Sequence, residues 1–139
     1  MFSLFALTSL QSCNKEKQFE GTTWESSSFD VSETFFDPWS EDLVTVNYKM
    51  TVTVSFNKNN DADIIVKASY VHWITELPTV TIVKGTASYT YKKDEMSINV
   101  KWNAESMYAL DGGNWKGTVS GTSMALKNVF NQNLTFTKK

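Results

Sequence analysis

From Val44 to Phe56 every even position (Val44, Val46, Tyr48, Met50, Val52, Val54, Phe56) is apolar or aromatic, and every odd one (Thr45, Asn47, Lys49, Thr51, Thr53, Ser55) is polar. A helix gathers one face every 3.6 residues or so and cannot segregate such a pattern, whereas a strand segregates it automatically, one face to the core and one to water. At about 3.4 Å per residue this strand would run to about 44 Å, so a domain of this size must bend it. The β-branched residues Thr, Val and Ile, which pack well on a pleated surface, supply 33 of the 139 residues. A chain of this length builds one core, not two.

Seven further segments read the same way. The Asn57-Lys58-Asn59-Asn60-Asp61 cluster turns the long strand into a partner at Ile64 to Trp73. A strand at Thr79 to Tyr91 changes its apolar phase around Gly85, from Val80 and Ile82 to Ala87, Tyr89 and Tyr91, as a bulge or closing bend would require. Lys92 to Glu95 turns the chain into a strand beginning at Met96 and alternating through Trp102, and residues 104 to 113 form a longer connection. Short strands at Asn114 to Ser120, Ser123 to Val129 and Leu134 to Thr137 follow, and Thr22 to Val31 opens the series; Ser40 could cap a short helical turn. Eight strands with mostly short turns predict an all-β fold, an eight-stranded antiparallel up-and-down barrel whose closure removes exposed edges.

Charge and residue chemistry narrow the function. A net charge of -2, with thirteen Lys and no Arg, gives no basic field and no planar fork for a phosphate backbone, so nucleic acid is not an expected partner. His72 is the only histidine and Cys13 the only cysteine, which leaves no soft metal cluster and no internal disulfide. Asp61 and Asp63 flank a turn and read as solvated acids. With no phosphate loop, no nucleophile elbow and no serine singled out for His72, the expectation is a chain without metal, cofactor or catalytic activity.

Residues 2 to 10, Phe-Ser-Leu-Phe-Ala-Leu-Thr-Ser-Leu, form an uncharged apolar run too short to span a bilayer, which takes about 20 residues. The run ends in Leu10-Gln11-Ser12-Cys13 and resembles a bacterial lipoprotein signal. That resemblance implies a signal peptide over 1–12, diacylglycerol linked to Cys13 after cleavage, and a tether over 13–20 that holds the protein to a membrane of the cell envelope; two or more acyl chains anchor stably. Read from the residues alone, Cys13 could also be an idle thiol. Lys15-Glu16 resembles the charged signal that sends lipoproteins of the Bacteroidetes group to the outer face of the outer membrane, and reads equally as an ordinary charged tether.

Gly21-Thr22-Thr23-Trp24 at the first strand and the run Trp115-Lys116-Gly117-Thr118-Val119-Ser120-Gly121 near the end look like the lipocalin-like barrel lipoproteins of the Bacteroidetes, over residues 21–139. In such a barrel Trp24 and Trp115 pack across an end, while Gly21, Gly117 and Gly121 serve tight turning or close approach. The resemblance also implies that residues 32 to 42 cover the open mouth. Phe35, Phe36 and Trp39 are then candidate lid residues, and Tyr48, Tyr70 and Trp102 candidate wall residues, for a small apolar ligand; the same aromatics could simply plug the barrel. The expected function is that of a lipid-anchored, non-catalytic envelope protein carrying such a ligand. The alternative is a filled scaffold that binds another envelope protein or glycan, and an internal void of about 300 Å³ or more is what separates the two.

Overall fold

The long alternation becomes one of the two longest strands of a nine-segment antiparallel sheet. In the computed structural model, which describes residues 16–103, 112–128 and 131–139, the strands are β1 (Thr23–Ser26), β2 (Phe29–Asp37), β3 (Asp42–Phe56), β4 (Asp61–Val71), β5 (Pro78–Lys92), β6 (Glu95–Trp102), β7 (Gly113–Ser120), β8 (Ser123–Lys127) and β9 (Asn133–Lys138). Cys13, the expected signal peptide over 1–12 and most of the 104–113 connection lie outside the described residues. Each strand pairs with the next from β2 to β9, and β1 pairs with both β3 and β9, which closes the sheet. Because β1 and β2 run along the same neighbour, they are two halves of one bent strand, and the fold is an eight-stranded, up-and-down, antiparallel barrel.

The bend is a one-residue bulge. Glu25 pairs with Thr53 and Phe29 with Met50, so three residues of the outer strand face two of β3. The inward positions shift accordingly, from Trp24 and Ser26 to Phe29 and Val31. At the break the buried Ser26 hydroxyl accepts the Val52 N–H at 2.8 Å, replacing the carbonyl that the ladder no longer supplies.

No such break occurs at Gly85, where the phase change in the sequence predicts one. The β4–β5 and β5–β6 registers run unbroken from Val71↔Pro78 to Lys92↔Glu95. What changes at Gly85 is the chemistry of the faces: below it Ala87, Tyr89 and Tyr91 point into the core, and above it Val80 and Ile82 point outward, 55% and 60% exposed. Gly85 is there for space, since a Cβ would lie 2.7 Å from the Lys101 carbonyl oxygen and 2.8 Å from the Trp102 ring.

The barrel body is filled. Trp24, Met50, Phe56, Ile64, Tyr89, Met96, Ile98, Trp115, Met124, Leu126 and Phe136 are all at most 2% exposed. A 3-10 turn, Glu16–Phe19, closes one end by placing Phe19 against Tyr91 (ring centroids 4.9 Å), Phe56 (5.3 Å) and Trp24 (6.1 Å). The sequence reading makes residues 14–20 a solvated tether; Phe19 is instead part of the core at 3% exposure. Thr22 links the turn to the first strand, its hydroxyl donating to the Phe19 carbonyl and accepting the Trp24 indole N–H.

The other end is uneven. β3 and β5 have fifteen residues each, β8 and β9 only five and six. β6 ends at Trp102 opposite Gly85, so Pro78–Lys84 of β5 rise past it, and among the described residues β2 pairs only with β3. Strands β2 to β5 therefore form an apron standing beyond the closed body, with the β2–β3 turn and the β4–β5 connection at its rim.

Candidate functional site

The predicted lid over residues 32–42 is not a loop. β2 continues to Asp37 and β3 starts at Asp42, leaving residues 38–41 as the only turn. Alternation fails to reveal this stretch because two acids, half-buried Glu33 and buried Asp37, take inward positions of β2. The helical turn expected at Ser40 is likewise a hairpin turn, and its organiser is Asp37. The Asp37 carboxylate accepts the Ser40 hydroxyl at 2.7 Å, the Ser40 N–H at 3.2 Å and the Trp39 N–H at 3.4 Å. Chiefly through the Ser40 hydroxyl, and against the opposing effect of burial, these bonds hold its pKa below the ordinary aspartate value. With the turn fixed in this way, Trp39 stands out 86% exposed.

Across the mouth, the β4–β5 connection is held by His72. Its Nδ1 accepts the N–H groups of Ile74 (3.2 Å) and Thr75 (3.4 Å), and its ring lies stacked on Trp73 at 4.3 Å. Trp73 in turn meets Phe35 edge-on at 4.9 Å, tying the two rim segments together. Between them is a cleft of about 420 Å³ lined by Asp37, Trp39, Ser40, Val44, Trp73 and Ile74. The Trp73 indole nitrogen is buried and has no hydrogen-bond partner among the described residues.

The candidate residues separate into three places. Phe35 and Trp39 belong to the mouth. Tyr48 and Tyr70 pack ring to ring at 4.9 Å on the inner wall of the apron, where burial first, and the charge of Glu33 second, push the Tyr48 hydroxyl's pKa upward. Phe36 faces outward at 59% exposure opposite Leu43, away from the cleft, and Trp102 lies lower, 6.1 Å from Trp115 in ring centroids, as part of the packed floor. Trp73, Ile74 and Val44 complete the cleft, and the signal for them was the run of apolar residues Val71, Trp73, Ile74 and Leu77 through a connection, where polar residues are usual.

The structural motif residues fall in the body and its turns. Trp24 and Trp115 are buried, Gly21 and Gly121 adopt φ of 76° and 61° at turns, and a Cβ on Gly117 would lie 1.7 Å from the Ala125 carbonyl oxygen. Two other hollows are polar or peripheral: one of about 500 Å³ on the outer face, lined by residues such as Asp61, Asp63, Ser88 and Lys101, and one of about 420 Å³ beside Phe19 and Tyr91 at the plugged end.

The mouth therefore offers apolar contact surface. Its Ser40 hydroxyl and His72 Nδ1 are both engaged in holding their own turns. No family model and no curated protein matches the chain.

Proposed function

We propose that the chain is a non-catalytic binding module of the cell envelope, held to a membrane by acylated Cys13 beside its plugged end and engaging a partner protein with its open end. The observation that carries this is where the apolar residues lie. The body, where a carrier would hold its ligand, is filled with side chains at most 2% exposed, while Phe36, Trp39, Leu43, Val71, Ile74, Leu77, Val80 and Ile82 are exposed together on the apron and its rim. Large exposed apolar surface grouped in this way marks interaction sites. The 3-10 turn Glu16–Phe19 lies at the opposite pole, and an anchor three residues before it would turn the rim away from the membrane.

A second reading, carriage of a small apolar ligand, is favoured by the mouth cleft, whose volume of about 420 Å³ suits one small molecule. Photo-crosslinking in the envelope separates the readings. A photoreactive side chain at position 39 captures a protein in the proposed function, and one at position 58, in a turn at the plugged end, does not. Trp39→Ala should leave stability within about 0.5 kcal/mol, since the ring is solvated, while weakening capture at a neighbouring rim position by about tenfold or more. Equal capture from positions 39 and 58 defeats the partner reading. Small organic adducts in place of protein ones favour the carrier.

A further inference from the structure

The wall of the apron ends in a strand that has one neighbour. β2, nine residues and roughly 30 Å long, pairs with β3 along one edge, and among the described residues no backbone group binds its other edge. Exposed edges are ordinarily guarded by charged side chains, Lys above all, by Pro, by a bulge or by brevity, because they template further pairing. β2, Phe-Asp-Val-Ser-Glu-Thr-Phe-Phe-Asp, has no Lys and no Pro, and its charges, Asp30, Glu33 and Asp37, are all acidic, a guard against neutral or acidic strands but not against a basic one.

Its charge is one-sided as well. Residues 29–48 and 69–83, the part of the apron above Lys49, Lys67 and Lys84 together with the rim, contain Asp30, Glu33, Asp37, Glu41, Asp42 and Glu76 and no lysine. These segments carry a formal charge of -6 in a chain whose total is -2, so the remainder is +4. Three lysines border this region in the sheet: Lys49 opposite Asp30, Lys67 opposite Ile82 and Lys84 opposite Ile65, and of these only Lys49 is on the strand next to β2. A second copy of this chain is a poor occupant, because the symmetric antiparallel register of two β2 edges sets Glu33 against Glu33 at the centre of the ladder and brings together two strands of formal charge -3 each, and like charges opposed across a ladder destabilise it.

We propose that the free edge of β2 receives an extended, lysine- or arginine-rich segment of the partner protein as an added strand. This names the partner chemistry for the binding function above and rests on that reading. Backbone pairing along the edge supplies the affinity common to strand addition, and side-chain alternation supplies the selectivity. On the inner face, apolar partner residues would lie beside Val31 and Phe35 and a cation beside Glu33; on the outer face, a cation would lie beside Asp30 and an apolar residue beside Phe36.

The test uses the full chain in neutral detergent and three capped nonapeptides: one with lysine at the positions that oppose Asp30 and Glu33, valine at those that oppose Val31, Phe35 and Phe36, and threonine elsewhere; one with glutamate in place of lysine; and the lysine peptide N-methylated at alternate amides. Strand addition predicts that the lysine peptide binds and slows amide exchange within Phe29–Asp37. It also predicts that N-methylation weakens binding about tenfold or more and that raising salt from about 0.05 to 0.5 M weakens it further. Glu33→Lys should narrow the preference for the lysine peptide over the glutamate peptide while leaving the fold, read by near-ultraviolet circular dichroism, unchanged. Three results would overturn the proposal: equal binding of both signs, protection confined to Pro78–Lys84 of β5, or a chain already dimeric with β2 amides protected before peptide is added. Each leaves partner capture from position 39 intact, so the edge can fail without the binding function failing.

Discussion

Single residues fix this fold where the backbone leaves no freedom. At Gly117 the facing strand is so close that any side chain overlaps the Ala125 carbonyl, and the obstacle is backbone, which cannot rotate aside. Gly117→Ala should cost on the order of 3 kcal/mol or more, measured by urea denaturation, and a change under about 0.5 kcal/mol would show that β7 and β8 can part cheaply. Asp37 fixes the rim by electrostatics. Its folded pKa lies below the ordinary value of 3.8, so the stabilisation is present above that value and is lost as pH falls through the native one. Amide exchange at Trp39 and Ser40, corrected for the intrinsic pH dependence, should therefore accelerate below about pH 4 in the wild type. Asp37→Asn, with no charge to lose, should show no such step. Trp24 and Trp115 were legible as end-packing residues through the resemblance of their motifs to those of small barrels; the capping role of Asp37 is hidden, since an Asp before Pro38 is compatible with many turns.

At the scale of elements, alternation locates every strand of the barrel body, because there one face meets the core and the other meets water. It misleads at the apron. Thr79 and Thr81 point in and Val80 and Ile82 point out, so the chemical phase of β5 inverts while its register continues, and the inversion reads as a bulge that is not there. The bulge that does exist, between β1 and β2, is concealed in Ser26-Ser27-Ser28, whose hydroxyls carry no face preference. Ser26→Ala would leave the Val52 N–H buried without its acceptor and should cost about 1 to 3 kcal/mol in thermal or urea unfolding; a neutral result would mean that the bulge does not depend on this bond. Phe19 was missed for a different reason: one aromatic in a charged heptapeptide gives no period. Phe19→Ala opens the plugged end among Phe56, Tyr89 and Tyr91 and should cost about 3 to 5 kcal/mol, while an unchanged denaturation midpoint would return residues 14–20 to the role of a free tether.

For the whole molecule, the two poles divide the work. One is sealed by aromatic rings and leads toward Cys13. The other spreads into an acidic apron with apolar side chains turned to solvent, a composition that stabilises no core and gains free energy only when something covers it. The central claim is that this barrel binds at its rim and stores nothing inside. Native mass spectrometry of the full chain released gently from an envelope extract tests it most directly. The account predicts the mass of the lipidated chain alone or with a bound protein; a stoichiometric adduct of a few hundred daltons, displaced when Val52 is enlarged to Phe in the packed interior, would contradict it.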